Sequence, residues 1–179
     1  MRFYGFGNYY LSSLQQGLQA AHTVGEIFVK HNHAILNSAS VNDYTQPKEI
    51  ELLEKADMVL DWAQHHKTMV LLNGGNSLSL QELFDFFDNE DNPYPYAKFH
   101  EDDQSLNGAL TYVGIILPEK IYETSLMMRT ARSFFYDDNL KRITFSEGQG
   151  IFSIPAICND FSKFEFELCN KINEYRLAI

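Results

Sequence analysis

Residues 68–77 read Thr68-Met69-Val70-Leu71-Leu72-Asn73-Gly74-Gly75-Asn76-Ser77. The first five form an almost purely apolar run of strand length, the mark of a strand buried on both faces. Asn73-Gly74-Gly75-Asn76 then turns the chain sharply, and Ser79-x-x-Glu82 caps a helix that runs to about Phe87. A buried strand feeding straight into a helix is half of an α/β unit.

The flanks extend that pattern. Upstream, Arg2 to Gly7 is short and aromatic-rich, which predicts a first strand. Ser13-x-x-Gln16 reads as a capping box, and Leu14, Leu18, Ala21, Gly25 and Phe28 recur at steps of four and three as one buried stripe. Gln15, Gln19, His22 and Glu26 run beside it, either as a solvated face or as a row of site residues. The polar stretch from Asn37 to Pro47 reads as loop. A second helix follows from Lys48 to His66, with Leu52, Leu53, Ala56, Val59, Leu60 and Ala63 inward. Downstream, Phe99 and Ala109 to Leu117 supply two more strands across a polar loop. Helices alternate with strands, so the expected fold is α/β, a mixed sheet with helices on both faces.

Beyond residue 122 the pattern changes. A helix is expected from Glu119 to Tyr136, then a hairpin of Ile143-Thr144-Phe145 and Ile151 to Ile154 around a glycine-containing turn. Phe161 to Leu177 reads as a terminal helix, although Phe164-Glu165-Phe166-Glu167 alternates like a strand. The expected division is a core over residues 1–122 and an α+β extension over residues 123–179, packed on that core.

Composition bounds the function. Hydrophobic residues make up 45% of the 179, enough for a substantial core, and no apolar run approaches the roughly 20 residues that span a bilayer. The start MRFYGFGNYY has no basic stretch followed by an apolar one, so no secretory signal is read there. Cys158 and Cys169 fit no metal-ligand spacing and suit a reducing cytosol as thiols. The expected location is cytoplasmic, the host cytoplasm if the chain is viral. The net charge of −10 argues against an extended nucleic-acid partner, whose phosphates are gripped by a basic footprint. It suits a small ligand or a protein partner, a homodimer included.

The order strand, Gln-x-x-His helix, second helix, apolar strand, third helix and two strands is similar to the type II peptidyl-tRNA hydrolase family. Gln19-Ala20-Ala21-His22 matches the family's Gln-x-x-His, and Thr111-Tyr112-Val113-Gly114-Ile115 resembles its late strand, which begins with a functional threonine. His100-Glu101-Asp102-Asp103 falls where the family places an aspartate. The resemblance covers residues 1 to 122. It implies that Asp102 or Asp103 orients water, that Thr111 donates a hydrogen bond, and that Gln19 and His22 line the site. The substrate it implies is the end of an aminoacyl- or peptidyl-tRNA, without any cofactor. Six and four positions before Gln19, where the family carries basic residues, stand Ser13 and Gln15, which are ligand-binding candidates without that charge. Compact chains resembling this family without its lysines occur in bacteriophages. A small-nucleotide binding or cleaving protein, set against a cyclic-nucleotide defence signal, is therefore a second reading. A non-catalytic interaction protein is a third.

Other motifs carry weaker chemistry. His100-Glu101-Asp102-Asp103 has the letters of a metal site, but adjacent side chains splay apart and no second cluster accompanies them, so no metal is expected. Asn73, Gly74 and Gly75 sit between strand and helix, where backbone N–H groups cradle an anion or merely turn the chain. Arg129 and Arg132 lie one helical turn apart, either as phosphate ligands or as partners of nearby carboxylates, and Phe134-Phe135-Tyr136 beside them could stack a base or fill a core.

Overall fold

The computed structural model describes residues 1–37, 47–102, 104, 107–131, 133–147, 150–153 and 160–178. They fall into two compact units, Met1–Leu117 with Leu177–Ile179, and Pro118–Arg176. No helix among the described residues is long and apolar enough to cross a membrane.

The first unit is built on a mixed five-stranded sheet. Its strands are β1 (Arg2–Asn8), β2 (Thr68–Gly75), β3 (Tyr96–His100), β4 (Leu110–Leu117) and β8 (Arg176–Leu177), in the order β3-β4-β1-β2-β8. β1 runs parallel to β2 and antiparallel to β4, and β3 pairs antiparallel with β4. The helices are α1 (Ser13–Asn37), α2 (Pro47–Asp61), which widens into a π-helical turn over Trp62–His66, and α3 (Ser77–Phe87). Phe3 and Phe6 stand three apart on β1 and so point to opposite faces. Phe3 meets Trp62 with ring centroids 6.0 Å apart, whereas Phe6 meets Phe87 of α3 at 5.9 Å. Ala20 and Ile27 of α1, with Val59 of α2, share the Phe3 cluster. Helices therefore cover both faces of an α/β sheet, as the alternating pattern predicts.

Leu52 of α2, expected inward, is 40% exposed, and three broader sequence expectations shift. The apolar run of β2 is not buried on both faces throughout, since Met69 is 41% exposed. β4 is the strand buried along its whole length. An apolar run does not distinguish a central strand from one whose outer neighbour is the two-residue β8. The cap of α3 lies before Ser79, at Asn76, whose Oδ1 accepts from the Leu78 and Ser79 amides at 2.9 and 3.0 Å.

The third shift concerns α1, which is rotated from the expected stripe. Leu14 and Leu18 are 75% and 52% exposed, and Ala21 and Gly25 face outward with them. The buried row is Gln16, Gln19, Ala20, Thr23, Ile27 and His31. Glycines in the sheet explain why polar side chains can lie there. A Cβ on Gly7 would fall 1.8 Å from Gln16 Oε1, so the missing side chain makes the space that the Gln16 amide fills. Gln16 Nε2 then donates to the Asn8 carbonyl at 2.9 Å, and the Thr23 hydroxyl donates to the Gln19 carbonyl at 2.9 Å. Hydrophobic periodicity was matched by the wrong face because the sheet beneath α1 accepts polar groups.

The second unit contains α4 (Glu119–Thr130), an antiparallel sheet β5-β6-β7 (Ser133–Asp137, Arg142–Glu147, Gly150–Ser153), and α5 (Lys163–Asn173). The β6–β7 hairpin is where the sequence places one. The helix expected to reach Tyr136 instead stops at Thr130, and 133–137 pairs with β6. Period-two packing wins there: Phe134 meets Phe145, and Tyr136 stacks on Phe166 at 5.4 Å. The ambiguous segment around Phe164 is helix, because Ser162 and Glu165 close a full capping box, with bonds of 3.1 and 2.8 Å. Ser162→Ala is expected to cost about 1 kcal/mol, seen as a small fall in thermal midpoint. A variant as stable as wild type would show that this box does not hold the helix start.

Candidate functional site

The registers bring one set of segment ends together. Gly7 of β1 lies opposite Tyr112 of β4, and Tyr112 lies opposite Phe99 of β3. The carboxyl ends of β1 and β3, the start of β4 and the first turns of α1 thus share one end of the sheet. β1 is followed directly by Tyr9 and Tyr10, and β3 by Glu101.

The contact that organises this end joins Gln19 and Glu101. Gln19 Nε2 donates to Glu101 Oε1 from a buried position on α1, while Glu101 is partly open to solvent. One turn on, the exposed His22 ring lies flat on Phe99, with centroids 4.6 Å apart and planes 10° apart. Tyr10 is half-exposed, and its phenol is held above the usual tyrosine range, first by partial burial and then by the Glu101 charge. It therefore stays a protonated donor at neutral pH. Beneath this surface, the buried atoms Asn8 Oδ1, Gln16 Oε1, Gln19 Oε1 and the Tyr112 hydroxyl have no hydrogen-bond partner among the described residues. Most buried polar atoms are paired, so the three orphaned amide oxygens at this end mark an exceptional polar region, while the Tyr112 hydroxyl lies further in, beside Gly5.

Thr111 occupies the same end but is fully buried. It sits at a bulge, because β3 passes from a Phe99↔Tyr112 pair to a His100↔Leu110 pair. Its hydroxyl donates to the Phe99 carbonyl at 3.5 Å, a long contact. The structure thus places Gln19, His22 and Thr111 at one sheet end, with Phe99 between the latter two. Asp102 is exposed, and its Oδ1 accepts from the Gln104 amide at 2.9 Å, closing a turn. Asp103 lies outside the described residues.

Other sequence candidates have structural partners. Gln15 Oε1 accepts from both the amide and the hydroxyl of Ser12 at 2.9 Å, so the capping box begins one residue earlier than Ser13, which is exposed. Asn73 Oδ1 accepts from the Gly75 amide at 3.0 Å, and the Gly75 carbonyl accepts from Tyr9 at 2.8 Å. Gly75 adopts a positive φ of 87°, and at Gly74 a Cβ would fall 2.4 Å from Leu80. The cradle's amides at Gly75, Leu78 and Ser79 are thus taken by the chain's own Asn side chains. Arg129, in the second unit, donates from Nε to Asn173 Oδ1 at 2.6 Å, and Arg132 lies outside the described residues.

No family model matches this chain, and no curated protein matches it either. The geometry therefore has to speak for its own chemistry. Glu101 and Tyr10 are the two residues here that sequence reasoning passed over. Glu101 was legible only as one of three consecutive acidic residues, and Tyr10 only as an aromatic just past the first strand. No group of His, Cys, Asp and Glu among the described residues is arranged to hold a metal ion.

Another buried polar residue of α1 lies further along. His31 is 1% exposed, and neither ring nitrogen has a hydrogen-bond partner among the described residues. Burial, followed by the charges of Lys30 and Lys55, lowers its pKa to about 4. The folded pKa is depressed, so between pH 6.5 and about 4 the unfolded chain binds the proton and the native one does not. Stability therefore falls with falling pH across that window, by up to about 1.4 kcal/mol per unit from this group. Urea midpoints between pH 7 and 4.5 should fall more steeply for wild type than for His31→Gln. Parallel profiles would contradict the assignment.

Proposed function

We propose that the chain is a hydrolase of the type II peptidyl-tRNA hydrolase kind, acting on an aminoacyl or peptidyl ester at a nucleotide's ribose. The observation that carries this reading is the Gln19–Glu101 contact, since it sets the glutamine of the Gln-x-x-His pattern against a carboxylate at the sheet end. The order of elements and the mixed sheet support the same family fold. In this reaction Glu101 takes a proton from water, and the water oxygen bonds to the ester carbonyl carbon. The bond from that carbon to the ribose oxygen then breaks, and the proton passes to the leaving ribose hydroxyl. Gln19 holds the carboxylate in place. Tyr10, protonated and close to Glu101, is suited to donate to the developing oxyanion. Phe99 carries His22 at the rim, a flat surface against which a base can stack.

Thr111 has a different role here from the one the resemblance implies. Buried beneath the surface and bonded to the Phe99 carbonyl, it positions the bulge that presents Glu101. Release of N-acetyl-aminoacyl groups from tRNA, compared with Thr111→Val and Tyr10→Phe, tests the assignment. Tyr10→Phe should lose more activity than Thr111→Val. The reverse order would return the hydrogen-bonding role to the threonine, and no release by wild type above a buffer blank would remove the hydrolase reading.

A further inference from the structure

In the first unit, away from the sheet end, a cavity of 260 Å³ lies between the later turns of α1, the first half of α2 and the start of β3. Its charged and polar lining is Lys30, His31, Lys48, Glu51, Lys55 and Tyr96, with Leu52 as an apolar wall. The chain has only 14 lysines and arginines against 24 acidic residues, yet three of those 14 converge on this space. One carboxylate, Glu51, faces them, and it accepts from Lys55 Nζ at 2.6 Å.

Two of the lysines, Lys30 and Lys55, are held in place rather than trailing in solvent, and Lys48 is exposed at the rim. Lys30 Nζ stands 3.6 Å from the centroid of the Tyr96 ring and 3.4 Å from the Tyr96 carbonyl oxygen. Lys55 is mostly covered and pinned by Glu51. Tyr96 is itself fixed, its hydroxyl donating to Asp88 Oδ1 at 2.5 Å. Burial lowers the Lys30 pKa and the Lys55 charge lowers it further, with Asp88 acting the other way. Like charges gathered in a half-buried space weaken the fold. A joint between two helices needs no such cluster, since apolar side chains would serve. The wall also contains His31, whose ring nitrogens lack hydrogen-bond partners among the described residues.

An anion resolves these features together. Lysines bind as point charges, without the planar fork by which arginine matches a carboxylate, so the set favours the higher charge of a phosphoryl group. The cavity is somewhat smaller than the roughly 300–1,000 Å³ of drug-sized pockets, which limits the remainder of the ligand. We infer that this cavity is a binding site for phosphate or a compact phosphate monoester, held by Lys30, Lys48 and Lys55. The site is independent of ester hydrolysis at Glu101, and either assignment can fail alone.

The test uses the full chain and inorganic phosphate, with a nucleoside 5′-monophosphate as a second arm and sodium chloride of matched ionic strength as reference. Phosphate or the monophosphate should raise the thermal midpoint saturably, by roughly 5–10 °C at a hundredfold excess over Kd. Calorimetric titration should give one site per chain. Lys48→Met alters an exposed side chain with no hydrogen bond or ion pair among the described residues, and should weaken binding at least tenfold while leaving the unliganded midpoint in place. Lys55→Met should weaken it further. If both compounds bind and compete, the phosphoryl group is the shared determinant; if only the monophosphate binds, the natural ligand is a monoester. Midpoints no higher than in chloride for both compounds, or binding unchanged by Lys48→Met and Lys55→Met together, would overturn the inference.

Discussion

Phe3→Ala should lower stability by about 3–5 kcal/mol, a fall in thermal midpoint of roughly 6–20 °C for a chain of this size. Phe3 is fully buried, packs on Trp62, and fills the space left by two glycines. A Cβ on Gly114 would fall 2.5 Å from the Phe3 ring, so the ring already lies against bare backbone of β4. Removing it opens a cavity between β1, β4 and the end of α2 that those elements cannot close, because the sheet registers hold the strands apart. Phe3→Leu keeps most of the volume and should cost markedly less. Equal midpoints for Phe3→Ala and wild type would mean that this face is not the core of the unit.

Glu101→Gln should reduce ester release by a factor on the order of 10²–10⁴, the usual contribution of a positioned general base. Glutamine retains the size and can still pair with the Gln19 amide, so the fold and KM should change little while kcat falls. Glu101→Ala would also remove the acceptor for a buried Gln19 donor, and is expected to lose stability as well as rate. The contrast between the two variants separates chemistry from support. If Glu101→Gln keeps wild-type kcat, the carboxylate orients nothing in the reaction.

The alternation of strand and helix was legible because strong signals agree with it: the run Met69 to Leu72, the asparagine–glycine turn, and the apolar strand ending at Leu117. The face of α1 was not. Leu14, Leu18, Ala21 and Gly25 form an apolar rhythm, but Gly7 and Gly114 give the sheet a surface that takes up Gln16 and the Thr23 methyl instead. Periodicity records side-chain type and carries no information about what lies beneath. Near Tyr136 the sequence supports a helix, and ring packing on Phe145 and Phe166 decides for a strand. For the candidate site, Gln19 and His22 were readable from their spacing and the sheet end from the order of elements. The partner carboxylate was not readable, because three consecutive acidic residues differ only in register, and the register is set by the Glu101 amide donating to the Ala109 carbonyl at 3.0 Å. Tyr10 could have been suspected from its place immediately after β1, where an α/β sheet presents its ligand-binding loops.

The most direct test of the central assignment is single-turnover release of an N-acetyl-aminoacyl group from tRNA, with wild type and Glu101→Gln measured side by side. The geometry at Gln19 and Glu101 predicts release well above the spontaneous rate by wild type, and a loss of at least a hundredfold in the variant. Wild-type release no faster than the blank, or equal rates for the two proteins, would contradict it.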